Sequence, residues 1–205
     1  MSERPSSTAE REPVSGRRGR PAMPRHARSH RTVIAILLLA CALGGPERAR
    51  AQAAPAKIDP SWLTLNMKKK IATFQLIAGL GGQNGALDFN GFEKGGLVLT
   101  VPRGWKVVLA FRNNDSSVAH SAEVIVAGDT LPDGPVTPAI RDAYTARLPQ
   151  GIPPQGTDSV RFEPDRAGSF AIMSAVPGQA KQGMWIRLII AAKRKGAVPT
   201  LTTGS

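Results

Sequence analysis

Few residues in this chain could do chemistry. It has three histidines and one cysteine among 205 residues. His26, His30 and Cys41 all fall within the first 51 positions, so His120 is the one imidazole of the remainder. A Ser-His-acid constellation needs a histidine between a nucleophile and a carboxylate. No nucleophile motif accompanies His120, and the chain reads as a non-enzyme. A lone histidine that follows a turn and precedes a strand is ordinarily at the surface or hydrogen-bonded. Met184, beside Trp185, reads as core packing. Gly79-Leu-Gly-Gly82 is glycine-rich in the manner of a phosphate loop, but the lysine and hydroxyl needed at its end are absent. These are strand-turn glycines.

The formal charge is +12, from 27 basic and 15 acidic residues. Half of it sits upstream, where residues 1–51 hold ten Arg and four Glu. The rest is spread over the remainder, densest at Lys68-Lys69-Lys70, read as a turn, and at Lys193-Arg194-Lys195. Aromatics do not interleave with these clusters as a single-strand binder requires, so nucleic acid is excluded as a partner. A protein partner is expected instead, and a mildly basic face could steer an acidic one.

The basic stretch Arg25–Arg31 precedes the apolar block Val33–Leu43, and Ala49-Arg50-Ala51 follows with small residues at minus three and minus one. That order is a secretory signal. About eleven apolar residues are too few to span roughly 30 Å of hydrocarbon. Residues 1–51 are therefore assigned to targeting, with translation expected to begin at Met23, cleavage after Ala51 and a periplasmic or secreted product. The alternative treats Leu38-Leu39-Ala40-Cys41 as a lipoprotein box, with Cys41 the lipidated first residue; only then would a membrane be a partner. Either outcome removes the cysteine, so no disulfide is expected in the folded part.

The elements that must position His120 follow from periodicity. Residues 52–60 read as a flexible lead-in, 61–192 as one domain and 193–205 as a basic, polar tail. Trp62–Asn66 and Ile71–Ala78 alternate with period two on either side of the lysine turn, which predicts a hairpin. Further strands are expected near Leu87–Phe92, at Leu97–Val101, Trp105–Arg112, Ser121–Ala127, Asp158–Glu163, Gly168–Ala175 and Met184–Ala192. A long Pro- and Gly-rich loop spans 128–156, and Pro138 one residue after Thr137 predicts a short helix over 137–144. Many short strands with Gly and Pro turns define the class as all-β, a Greek-key β-sandwich.

Three segments carry a family resemblance over most of Trp62–Ile190. Val101-Pro-Arg-Gly-Trp-Lys-Val-Val-Leu-Ala-Phe-Arg-Asn-Asn-Asp115 resembles the strand before the first copper ligand of the sulfocyanin branch of the cupredoxins. Ala119-His120-Ser121 stands at that ligand. Ser174-Ala-Val-Pro-Gly-Gln-Ala-Lys-Gln-Gly-Met-Trp185 is similar to the ligand loop, where the family reads Cys-x-x-Pro-Gly-His-x-x-x-Gly-Met-Trp. The resemblance implies a blue-copper site of two His, one Cys and an axial Met. Carried over residue by residue, His120 and Met184 are present, Ser174 replaces the thiolate and Gln179 replaces the second imidazole.

A blue-copper centre depends on its short copper–thiolate bond within a trigonal His-His-Cys set, and the axial ligand only tunes it. Serine is a poor substitute and Gln179 offers only an amide oxygen, so no conventional type 1 copper is expected. Ser174 and Gln179 are expected to hydrogen-bond each other or His120 in a neutral polar cluster. Two functions follow. One is a cupredoxin-like binding or scaffold module in the periplasm that has lost redox chemistry. The other is an electron carrier or copper-handling protein in which His120 and Met184, with Met173 or Met67, hold Cu(I), which thioethers suit.

Overall fold

The computed structural model describes residues 56–81 and 84–204. The expected targeting segment, with Met23, Cys41 and the Ala51 cleavage site, and the start of the lead-in lie outside them.

Among the described residues nine strands form a two-sheet sandwich, as the alternation predicted. They are β1 (Leu63–Asn66), β2 (Ile71–Ala78), β3 (Leu97–Pro102), β4 (Lys106–Asn113), β5 (Glu123–Val126), β6 (Thr157–Phe162), β7 (Gly168–Met173), β8 (Trp185–Ala191) and β9 (Thr200–Thr203). One sheet has the order β1-β2-β4-β6 and the other β5-β7-β8-β3-β9. The pairs β2/β4 and β3/β8 are parallel and the rest antiparallel. The lysine turn closes the predicted β1/β2 hairpin, Leu63 facing Phe74. The Pro102–Trp105 turn does something different: it carries the chain from one sheet to the other.

Period-two alternation becomes the core directly. On β2, Ala72, Phe74, Leu76 and Ala78 point inward; on β4, Val107, Leu109 and Phe111 do so, and Phe74 lies in register with Leu109 and Leu76 with Phe111. The facing sheet contributes Leu97, Leu99 and Val101 from β3 and Ile186, Leu188 and Ile190 from β8. Burying each such side chain contributes roughly 1.5–3 kcal/mol. A smaller apolar cluster, Ile125, Ala171, Met173, Ala175 and Ala180, is packed against Leu131, Leu148 and Trp185.

Three expectations are corrected. No helix forms over 137–144. The backbone there is spent on the strand beside it: Ala139 N–H bonds Val124 O, Val124 N–H bonds Ala143 O and Thr145 N–H bonds Ala122 O. Asp142, at φ +59°, also breaks any helical run. Leu87–Phe92 is not a strand either. Asn90 and Gly91 both have positive φ, the requirement of a type I′ turn, and Phe89 and Phe92 exchange backbone hydrogen bonds of 2.9 Å across them. Finally, the polar tail ends in β9, antiparallel to β3 with Leu201 opposite Leu99. It covers what would otherwise be an open edge on a strand with a buried face.

Candidate functional site

The site lies at one end of the sandwich, where β4 leaves its sheet and β7 turns toward β8. Asn113, the last residue of β4, is fully buried and organises the crossing. Its side-chain amide donates to Val118 O and Ile152 O, both at 2.9 Å, and its Oδ1 accepts from Asp115 N–H at 2.9 Å. Asp115 Oδ1 in turn accepts from the N–H groups of Ser117 (2.7 Å) and Val118 (3.0 Å), which folds residues 115–118 into a tight turn. His120 follows, held by reciprocal backbone bonds with Ile152 of the long loop. Gly151 makes that contact possible. It has φ +78°, and a Cβ there would stand 2.9 Å from His120 N.

His120 is fully buried rather than at the surface. Its Nδ1 lies 2.9 Å from Gln179 Oε1 and its Nε2 3.3 Å from Asp115 Oδ2. Both ring nitrogens thus face side-chain oxygens. Gln179 Oε1 also accepts from Ser174 Oγ at 2.7 Å, while Gln179 Nε2 donates to Ala119 O at 3.0 Å. The expected polar cluster of Ser174, Gln179 and His120 is therefore present.

The loop that supplies Ser174 and Gln179 is fixed from both ends. Ser174 N–H donates to Met184 O and Met184 N–H to Gln179 O, both at 3.0 Å. Ser121 and Ser174 exchange contacts across the gap: Ser121 N–H reaches Ser174 Oγ at 3.3 Å, and Ala175 N–H donates to Ser121 Oγ at 3.0 Å. These bonds bring the two matched segments together although 53 residues separate Ser121 from Ser174.

The methionines divide. Met184 is fully buried in the main core, as its reading as core packing implied. Met173 is fully buried in the smaller cluster. Met67 is 58 % exposed on the β1–β2 turn, which joins the ends of strands remote from His120, so it is not a member of the site.

Asp115 was legible only as turn chemistry, yet it is the carboxylate of the site. Burial pushes its carboxyl up, but the N–H groups of Ser117 and Val118, the His120 ring and the Ser117 hydroxyl outweigh that and bring it to about 2. Its place within the polar run 112–117, five residues before the histidine, was the available signal. Glu123, on β5, was also missed. It is fully buried, its Oε1 has no partner, and Oε2 accepts only from Val136 N–H at 3.3 Å. Burial pushes that carboxyl up, against the smaller effect of the Val136 bond.

Among the described residues no group of three or more His, Cys, Asp and Glu converges as a metal cluster. No helix there is long and apolar enough to cross a membrane.

A two-sheet sandwich with a buried histidine seven residues beyond β4 and a ligand-type loop between β7 and β8 defines a cupredoxin. The sulfocyanin (SoxE) domain matches residues 60–200, and the chain belongs to that family. The family is of the copper-binding, electron-transfer type, and such proteins are typically electron carriers rather than enzymes. A methionine-to-glutamine mutant of rusticyanin is similar at TM-score 0.50 and 20% identity, over 68% of this chain and 88% of that one. Rusticyanin from Thiobacillus ferrooxidans gives a TM-score of 0.44 and 22% identity, over 63% and 88%. Reduced auracyanin from Roseiflexus castenholzii gives 0.41 and 18%, over 58% and 96%. The first of these likenesses shows the fold. No curated protein sequence matches.

Proposed function

We propose that this chain is an exported cupredoxin that has given up type 1 copper and serves as a periplasmic binding or scaffold module for a protein partner. One observation carries the reading: Gln179 Oε1 accepts from both Ser174 Oγ (2.7 Å) and His120 Nδ1 (2.9 Å). The imidazole, hydroxyl and amide at the ligand positions are bonded to one another, and Asp115 engages the other ring nitrogen. A type 1 centre takes a thiolate and two neutral imidazoles with free lone pairs. This donor set, with one thioether at Met184, does not fit it, and a metal entering here would first have to break three buried hydrogen bonds. Export is supported by the order of basic, apolar and small residues over 25–51. A thioether-anchored form at Cys41 is the alternative, and mass spectrometry of the mature amino terminus separates the two.

Copper loading of the purified protein followed by metal analysis and visible spectroscopy tests the reading. Substoichiometric copper and no intense band toward the red end of the visible spectrum are expected. Stoichiometric copper with such a band would overturn it.

A second reading rests on family membership and on the retention of His120 and Met184: soft, transient Cu(I) binding through imidazole and thioether. Cu(I) titration should then lose affinity in the His120→Ala, Met184→Ala double variant. Unchanged affinity discards it.

A further inference from the structure

The end of the sandwich remote from His120 carries a different chemistry. The parallel registers start β2 and β4 there, with Ile71 opposite Lys106, and end β3 and β8 there, with Pro102 opposite Ala191. Lys106 N–H bonds Lys70 O and Arg103 N–H bonds Ala191 O, so three connections are tied side by side. They are the β1–β2 turn, the β3–β4 turn and the β8–β9 loop. On them sit Lys68, Lys69, Lys70, Arg103, Lys193, Arg194 and Lys195, all exposed, with exposed Lys106 next to them. Among the described residues none of the first seven has a carboxylate within ion-pairing distance, and only Glu163 reaches Lys106, at 4.0 Å. Eight of the 17 basic residues from position 52 onward are thus gathered at one pole, and the other nine are outnumbered by the 11 carboxylates of the same stretch. The net positive charge of the domain is this pole.

It is also hollow. A cleft of about 540 Å³ opens between the three connections. Lys70, Arg103, Lys193, Arg194 and Lys195 line it; Met67, Pro102 and Trp105 give it an apolar side, and no carboxylate lines it. Like charges this close repel one another and cost stability, a cost an anionic partner would remove.

We propose that this cleft is a docking site for an acidic, extended segment of a partner protein, its carboxylates meeting the rim and an aliphatic side chain resting against Met67 and Trp105. The shape favours a peptide over a lipid surface. Membrane-docking loops hold apolar and aromatic side chains outward, whereas Trp105 is 4% exposed and Met67 is the one large apolar side chain of the cleft that protrudes. The inference concerns a different surface from the histidine site and does not depend on whether copper binds there, so the copper experiment and this one fail separately.

The test is calorimetric titration of the purified protein with a short peptide of glutamates interspersed with leucine, with its Gln-for-Glu counterpart, and with phosphatidylglycerol–phosphatidylcholine vesicles. The acidic peptide should bind, and affinity should fall at least about tenfold between about 0.05 M and about 0.5 M salt. The variant Lys70→Gln, Arg103→Gln, Lys193→Gln, Arg194→Gln should lose at least about tenfold. Lys57→Gln, Arg112→Gln, Arg147→Gln, which removes the same sign of charge elsewhere on the surface, should bind as the parent does. All seven positions are exposed, and unchanged thermal melts confirm that both variants fold. No binding of the acidic peptide, equal losses in the two variants, or vesicle binding as strong as peptide binding overturns the proposal.

Discussion

Gln179→Ala is the sharpest perturbation of the polar cluster. The Gln179 side chain makes three hydrogen bonds in a fully or nearly buried setting: from Ser174 Oγ, from His120 Nδ1 and to Ala119 O. Truncation strands two donors and one acceptor. Each buried polar group left without a partner costs about 1–3 kcal/mol, so the bare sum is about 3–9 kcal/mol. Water entering the vacated amide volume re-satisfies part of the set, which places the expected loss near the lower end, about 3 kcal/mol. Ser174→Ala strands less: the 2.7 Å bond to Gln179 Oε1 goes, but that oxygen keeps His120, and the other losses are the long contacts from Ser121 and Val176; about 1 kcal/mol is expected. The pair should couple in a double-mutant cycle, since they share one bond. Equilibrium urea unfolding of the two single variants and the double variant measures all three quantities. A Gln179→Ala loss below about 1 kcal/mol, or strict additivity with Ser174→Ala, would refute the claim that a self-satisfied network fills the ligand positions.

The other predictions are independent of that one. Gly151→Ala combines a positive φ with a Cβ 2.9 Å from His120 N and 3.0 Å from Ala119 C, and should cost about 2 kcal/mol or more in urea unfolding. Asp115 is held down to about 2 against an ordinary 3.8; its stabilising contribution, up to about 2 kcal/mol, is complete above about pH 4 and is lost as pH falls toward 2. Asp115→Asn should flatten that acid limb in a series of unfolding curves, and an unchanged limb would discard the assignment. Glu123 has the opposite sign: its raised carboxyl is stable when protonated, so stability falls as pH rises through its titration. Glu123→Gln should therefore stabilise the protein near neutral pH more than at pH 4, and a melting-temperature difference that does not change with pH would contradict it.

The sandwich was readable because its inner faces alternate without compromise: Val107, Leu109 and Phe111 on β4 and Ala72, Phe74 and Leu76 on β2 are all buried. What failed were segments whose structure is set by a neighbour rather than by their own pattern. Thr137–Tyr144 has the residues of a helix start, but β5 takes its backbone groups. Thr200–Thr203 has one leucine and no alternation; β3 makes it a strand by offering an unpaired edge. The Asn90-Gly91 turn carried its own signal and sat inside a run read as strand.

The site divides in the same way. The resemblance to the sulfocyanin ligand loop implied that Ser174 and Gln179 stand opposite His120, and the structure brings the three into contact. Asp115 and Gly151 could not be assigned from spacing. Asp115 reaches the imidazole only because Asn113 folds the intervening turn, and Gly151 matters only because the long loop returns to pair Ile152 with His120.

The central claim, that two side-chain replacements alone have turned a copper centre into a hydrogen-bonded plug, is tested most directly by reversing them. The purified protein and its Ser174→Cys, Gln179→His double variant are loaded with copper in parallel, and bound metal and visible absorbance are measured for both. The account predicts intense absorbance toward the red end of the visible spectrum and about one copper per chain in the double variant, and neither in the parent. Stoichiometric, intensely coloured copper in the parent, or none in the double variant, contradicts it.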